Sequence, residues 1–207
     1  MKRLHFERLM RYHRVLTDWA VASDVVASEH LAKHCGVDPT QVRKDLAALG
    51  LRGKPSVGFT GATVLAAIRE RLGLDTLKGA VIVGSGRMAR ALADYPLFSV
   101  CGLAVVAIFD DDIEATGEVV AGASLYPLKA LPRECRRLGV RLGIITPSRS
   151  ATPKEAMQAL VEAGVRAIWN FTPATLVAPP GVLVRDEQLS VDLAELAYAV
   201  RDVPEAR

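Results

Sequence analysis

Histidine is scarce and confined: His5, His13, His30 and His34 all lie in the first 34 residues of a 207-residue chain. Everything after them lacks the side chain most often used to move protons near neutral pH. Cysteine is equally thin. Cys35, Cys101 and Cys135 are far apart, form no CxxC pair and give no metal-ligand spacing, so no metal centre is expected. Reduced thiols of a cytoplasmic protein are the expectation instead. No apolar run approaches the roughly 18 residues that a membrane span requires. Met1 to Trp19 is amphipathic and charged, with no apolar signal core, so no secretory leader is expected. Internal repeats and low-complexity tracts are missing too. Half of the residues are hydrophobic, enough to bury one core or two.

The net charge of +3 is unevenly placed. Residues 1–76 carry 12 Lys/Arg against 8 Asp/Glu, whereas residues 77–207 carry 14 against 15. The positive excess belongs to the N-terminal third, which points to a polyanionic partner there; a solvated surface would give the same count.

That third reads as short helices and a hairpin. Leu9, Leu16 and Trp19 share a stripe of a first helix, about Phe6 to Ala22, with Arg8, Arg11 and Arg14 among its polar positions. Ser28 to Cys35 is a second helix with Ser28 at the N-cap, broken by Gly36. Asp38 caps a third, with Pro39 at its first position, Gln41 where a capping box takes Glu or Gln, and Gly50 at its end. Val42, Leu46 and Leu49 form its inner face; Thr40, Gln41, Arg43 and Lys44 its polar side. Two helices hinged at Gly36-Val37 have helix-turn-helix grammar, in which the start of the second helix reaches base edges. Leu51 to Phe59, with Gly53, Pro55 and Gly58, reads as a hairpin like the wing of a winged helix, carrying Arg52 and Lys54. The candidate DNA contacts are therefore Thr40, Gln41, Arg43, Lys44, Arg52 and Lys54. An amphipathic helix with solvated cations is the plainer alternative. Val64, Leu65, Ile68 and Leu72 make a linking helix that stops at Gly73.

From Leu77 the pattern alternates strand and helix, which implies a parallel sheet with crossover connections. Ala80 to Val83 is an apolar strand, followed by Gly84-Ser85-Gly86-Arg87-Met88-Ala89 and a helix to about Ala93. This fits G-x-G-x-x-[G/A] in its required strand–turn–helix setting. Gly84 allows the tight turn, Gly86 the approach of a pyrophosphate, and Ala89 close helix–strand packing. Free N–H groups at the helix start suit phosphates. A second strand, Leu103 to Phe109, ends in Asp110, placed to meet ribose hydroxyls. Asp110, Asp111 and Asp112 would repel a 2′-phosphate, favouring NAD(H) over NADP(H). Further strands run Arg141 to Thr146 and Arg166 to Asn170, with a helix from Pro153 to Ala163 between them. Thr146, Asn170, Phe171 and Tyr95 complete the candidate cofactor set, as a family resemblance implies. Ser190 to Asp202 is a final apolar helix, with Leu193, Leu196, Ala197 and Val200 on one stripe.

No histidine and no Ser-x-x-x-Lys arrangement beside a tyrosine accompanies this turn, and there is no separate substrate domain. The domain reads as a sensor without turnover. An NAD-linked oxidoreductase and a coenzyme A-binding regulator stay open as alternatives.

In this order of motifs the chain resembles the Rex family of redox-sensing transcriptional repressors, over nearly its whole length. Gln41-Val42-Arg43-Lys44-Asp45-Leu46 is similar to the family's recognition helix, and Gly50 through Phe59 occupies its wing. Gly84 to Ala89 with Ala91 to Pro96 resembles its nucleotide turn, and Phe109-Asp110 its second-strand end. Ile168 to Pro173 resembles its Asn-Phe-Ala/Ser-Pro segment, and Val191-Asp192-Leu193 the start of its last helix. The resemblance implies a winged helix (1–76), a Rossmann NAD(H)-binding domain (77–188) and a final helix (189–207) exchanged within a homodimer. It implies that NAD⁺ permits binding to double-stranded operator DNA and that NADH releases it. Tyr95 and Asp192 match positions that meet near the nicotinamide, and Arg14 one that pairs with that aspartate in the DNA-binding state. The chain departs from the family in its wing, Pro55-Ser56-Val57-Gly58-Phe59 where Arg-Gly-Val-Gly-Tyr is usual. Ala89 stands for the third glycine, and Leu193 for an aromatic residue.

Overall fold

The computed structural model describes residues 3–19, 25–54, 57–111, 118–149 and 151–201. The chain packs as two units, Met1–Thr76 and Leu77–Arg207.

The first unit holds helices α1 (Arg3–Trp19), α2 (Ser28–Cys35), α3 (Pro39–Ala48) and α4 (Gly61–Leu72) and the short strands β1 (Val25–Val26) and β2 (Phe59–Thr60). Leu9, Tyr12 and Leu16 of α1 meet Leu31 of α2, Val42 and Leu46 of α3, and Val64 and Ile68 of α4 in one core. Burial of each such side chain contributes about 1.5–3 kcal/mol, which holds helices too short to persist alone. Gly36 ends α2 at φ 64°, its N–H returning to the Ala32 carbonyl, and Gly73 ends α4 at φ 66°. The hairpin closes through Lys54 N–H to Gly58 O at 2.8 Å, and β1 pairs antiparallel with β2. His13 is buried; burial and the nearby Arg69 hold its pKa below 6.5 against the pull of Asp75, so it is neutral at pH 7.

Two sequence expectations here are corrected. Ser28 is the first helical residue of α2, not its cap; Ala27 takes the cap position and offers no side-chain acceptor. Gln41 makes no capping box, because its amide reaches forward to Asp45. The described part of α1 runs to Trp19; the expected continuation to Ala22, the Trp19 side chain and the wing residues Pro55 and Ser56 lie outside the described residues. Asp38 does cap α3, accepting from Thr40 N–H at 2.7 Å, with Pro39 beginning the helix.

The second unit is a seven-stranded sheet of β3 (Lys78–Val83), β4 (Leu103–Asp110), β5 (Val119–Val120), β6 (Ala123–Pro127), β7 (Leu142–Ile145), β8 (Ala167–Asn170) and β9 (Leu183–Asp186). Around it run α5 (Arg87–Ala93), α6 (Leu97–Val100), α7 (Leu131–Leu138), α8 (Pro153–Glu162) and α9 (Leu189–Val200). The strand order is β5-β6-β4-β3-β7-β8-β9, parallel except for β5 against β6. Central β3 is covered on both faces. Val81 and Val83 pack with Phe109, Leu131 and Leu160, while Ala80 and Ile82 pack with Ala89, Ile108 and Ile144. This explains its unbroken apolar run. The chain leaves β3 for β4 on one side and later returns to β7 on the other. The carboxyl ends of β3 and β7 therefore frame the switch-point crevice where such sheets take ligands.

β5, β6, α7 and β9 were not marked by the sequence pattern. α9 spans Leu189–Val200 rather than Ser190 to Asp202, and Asp202 lies outside the described residues. Every side chain of α9 is exposed. Among the described residues no helix is long and apolar enough to cross a membrane.

Candidate nucleotide and DNA sites

The glycine turn is tied to all its neighbouring strand ends. Gly84 stands at φ 105°; a Cβ there would collide with the Thr146 hydroxyl and lie 3.0 Å from the Thr146 carbonyl. Its N–H donates to Phe109 O at 2.8 Å. Thr146, just past β7, donates from its N–H (3.0 Å) and hydroxyl (3.2 Å) to Val83 O. Ser85 N–H donates to Asp110 Oδ2 at 2.6 Å, and the Ser148 hydroxyl reaches Asp110 Oδ1 at 3.4 Å. Asp110 is thus buried with its carboxylate against the turn. Asp111 is exposed, and Asp112 lies outside the described residues.

Gly86 differs from Gly84. Its backbone is ordinary, φ −63° and ψ −177°, and an added Cβ would find only the Pro147 carbonyl at 3.6 Å. Among the described residues no steric contact demands glycine there, whereas a phosphate lying on the backbone would. Arg87 begins α5 and is exposed, Met88 is half-buried, and Ala89 is fully buried against the sheet. These residues fit a dinucleotide: an open glycine at a helix start, and a carboxylate at the end of the second strand.

On the far side, Asn170 is saturated. Its Nδ2 donates to Ala174 O (2.6 Å) and Asp186 Oδ1 (2.8 Å), and its Oδ1 accepts from Thr172 N–H (3.0 Å) and hydroxyl (2.7 Å). All its hydrogen-bonding positions are used, so it shapes the loop after β8 rather than offering a free group. Phe171 follows it, its N–H on Ile145 O at 2.8 Å and its ring 4.4 Å from that of Trp169. The structure therefore gathers Gly84, Ser85, Asp110, Thr146 and Phe171 around the switch point. Tyr95, beyond α5, is half exposed, and Asp192 and Arg14 are exposed. Asp192 is the fourth residue of α9; the helix begins after Gln188 with no side-chain cap.

In the first unit the polar side of α3 divides. Thr40 and Lys44 are exposed, as are Arg52 and Lys54 on the hairpin. Arg43 pairs with Glu29 of α2 at 3.0 Å. Arg43, Arg52, Lys54, Ser28 and Glu29 line a groove of about 500 Å³ between helix and hairpin. Gln41 instead turns inward and donates to Asp45 Oδ1 at 2.9 Å. Asp45 is buried and also receives Arg8 Nε (2.6 Å), Arg8 Nη2 (2.8 Å) and Tyr12 OH (3.0 Å). Burial pushes the Asp45 carboxyl up, but the hydrogen bonds from Arg8, Gln41 and Tyr12 outweigh it and hold it below its ordinary 3.8. Burial and the same carboxylate raise the Tyr12 phenol. Sequence reading overlooked Asp45, Arg8 and Tyr12 as a unit. Their one local signal is the i, i+4 spacing of Gln41 and Asp45 beside the apolar face.

Comparison with known proteins agrees with this division. The family model "Putative DNA-binding protein N-terminus" matches residues 5–47, and "CoA binding domain" matches 75–174. The redox-sensing transcriptional repressor Rex 2 of Thermotoga maritima is 31% identical over 201 residues, 97% of each chain. The Rex repressor of Maridesulfovibrio salexigens is 36% identical, over 94% of this chain and 91% of that protein. Among solved structures, RSP in complex with β-NAD⁺ and operator DNA aligns with a TM-score of 0.85 at 27% identity, over 98% of this chain and 93% of that one. RSP with β-NADH aligns at 0.80 and 26%, over 98% and 95%. The chain belongs to the Rex family of redox-sensing transcriptional repressors.

Proposed function

We propose that this protein is a transcriptional repressor that binds operator DNA through its first unit and reads the NADH/NAD⁺ ratio through its second. The observation that carries the reading is the pairing of a glycine turn clamped by Asp110 with a capped, cation-bearing α3 in one chain. Gly84 to Ala89, Asp110, Thr146 and the Asn170–Phe171 loop hold NAD(H); Thr40, Arg43, Lys44, Arg52 and Lys54 face DNA. Gln41 acts from behind, through Asp45. The bound coenzyme supplies a ring that differs between its two forms by a hydride and one positive charge. Arg14, Tyr95 and Asp192 are the charge-responsive residues. The active form is a cytoplasmic homodimer that exchanges residues 189–207, beside a DNA-binding unit of 1–76 and a Rossmann unit of 77–188. The proposed role is sensing without turnover, in keeping with relatives named as transcriptional repressors.

A coenzyme A ligand has one argument in its favour, the family model matched at 75–174. Against it, the Asp110 carboxylate lies where a ribose phosphate would add like charge. Operator selection followed by titration decides. Operator affinity should be high with NAD⁺ and should fall by roughly 5–150-fold with NADH, the usual range of allosteric coupling. Coenzyme A should neither bind nor compete, and NADH should not be consumed with simple carbonyl compounds. Tight coenzyme A binding without any NADH response would overturn the reading.

A further inference from the structure

Ser28, released from capping, does something else. Its hydroxyl accepts from Arg43 Nη1 at 3.0 Å and donates to Glu29 Oε2 at 3.2 Å. Arg43 Nη1 also donates to Glu29 Oε1 at 3.0 Å, and Nη2 reaches Thr40 Oγ1 at 3.4 Å. Both carboxylate oxygens are engaged, and the guanidinium is held from two helices. Ser28, the node, is buried, while Arg43 and Glu29 are 50% and 66% exposed. An ion pair that open to water adds little to stability, so the arrangement is no staple of the fold. It sits on the groove that Arg52 and Lys54 also line.

A carboxylate is out of place on a surface meant only for phosphate, because it opposes the polyanion at the point of contact. It also occupies the guanidinium that would otherwise take a phosphate. A base-pair edge is the partner that suits both groups. Arg43 keeps two of its five N–H groups uncommitted, which match the O6 and N7 acceptors of guanine. Glu29 is the acceptor for the N4 amino group of the paired cytosine. We propose that Glu29 is a specificity-determining residue of the operator interface: held by Ser28, it fixes the Arg43 guanidinium and with it reads a G·C pair in the major groove. This rests on the DNA-binding reading above.

The test is operator selection from a randomised duplex library, then anisotropy titration of the wild type, Glu29→Ala and Glu29→Gln with the full chain and NAD⁺. In Glu29→Ala the preference for one G·C pair in each half-site should fall roughly tenfold, the usual weight of one base pair. Affinity for unrelated duplex should rise, and the salt dependence should steepen by about one phosphate contact as Arg43 turns to the backbone. Glu29→Gln, which keeps an acceptor, should retain part of the preference. Thermal unfolding should be unchanged in both. Identical base preference and salt slope in wild type and Glu29→Ala would overturn the role of Glu29. A wild type that selects no sequence would sink the DNA-binding reading, and this inference with it.

Discussion

At Gly84 the backbone stands at φ 105° and an added Cβ meets the Thr146 hydroxyl and carbonyl; at Gly86 the backbone is extended and the space is open. The two glycines of one hexapeptide thus differ: the fold demands the first, and the second leaves the open space that the proposed pyrophosphate would use. Gly84→Ala should destabilise the protein by about 2 kcal/mol or more, from a strained dihedral plus a contact that strand-end backbone cannot relieve. Gly86→Val should change stability by no more than about 1 kcal/mol, because the poorer N-cap of α5 offsets the restriction of the unfolded chain. The same variant should lose NADH binding while still binding DNA. Denaturant unfolding and NADH titration of both variants check the contrast. Normal NADH affinity in Gly86→Val would show that no pyrophosphate lies on this turn.

The proposed recognition by α3 depends on how the helix is seated, and the seat includes one buried carboxylate, Asp45. Asp45 links α3 to α1 through Arg8 and Tyr12, residues 37 and 33 positions away. Asp45→Ala would leave the Tyr12 hydroxyl and a side of Arg8 without an acceptor. The Arg8 side chain is 23% exposed, so water recovers part of the loss. The expected cost is about 2–4 kcal/mol, read from denaturant unfolding with hydrogen exchange of α1 and α3; a loss within experimental error would mean that packing alone seats the helix. The same cluster explains what was legible beforehand. The caps and apolar spacing of α3 are local, so Asp38, Pro39, Val42 and Leu46 announced the helix and its buried face. The partner of Asp45 comes from another element, and no period within α3 shows that Gln41 turns inward. Likewise β3, the turn and α5 follow a short-range grammar that the sequence displays. β1 has two residues, β6 and β9 lack a clean alternation, and α7 hides a buried Glu134 between Arg133 and Arg137. Their placement is decided by neighbours in the sheet and by ion pairs, not by local pattern.

α9 raises the question of what the whole molecule is in solution. Leu189, Val191, Leu193, Leu196 and Val200 are between 43% and 65% exposed, and no residue of the helix is buried. A helix this apolar is stable in water only when covered. On the proposed function, exchange between two copies covers it and carries Asp192, in its first turn, to the partner. Capping would have been the plain role for that aspartate, but the helix begins at Leu189 without any side-chain cap, so Asp192 is free for another. NAD⁺ and NADH can shift a two-state equilibrium only by their difference in affinity for the two states. That difference lies in the charge and pucker of the nicotinamide ring, so the responding group must sit beside the ring and sense one or the other. The proposed switch, with Asp192 pairing to Arg14 in the DNA-competent state and to Tyr95 when NADH is bound, is such a bistable contact without any chemistry. Asp192→Ala should still bind NADH, within about tenfold of the wild type, but the ratio of operator affinities in NAD⁺ and NADH should drop from the 5–150-fold typical of coupled sites toward unity. The measurement is operator titration at saturating NAD⁺ and saturating NADH. If the variant keeps the wild-type ratio, the charge of Asp192 has no part in the switch, and the sensing contact lies elsewhere along α9 or around Tyr95.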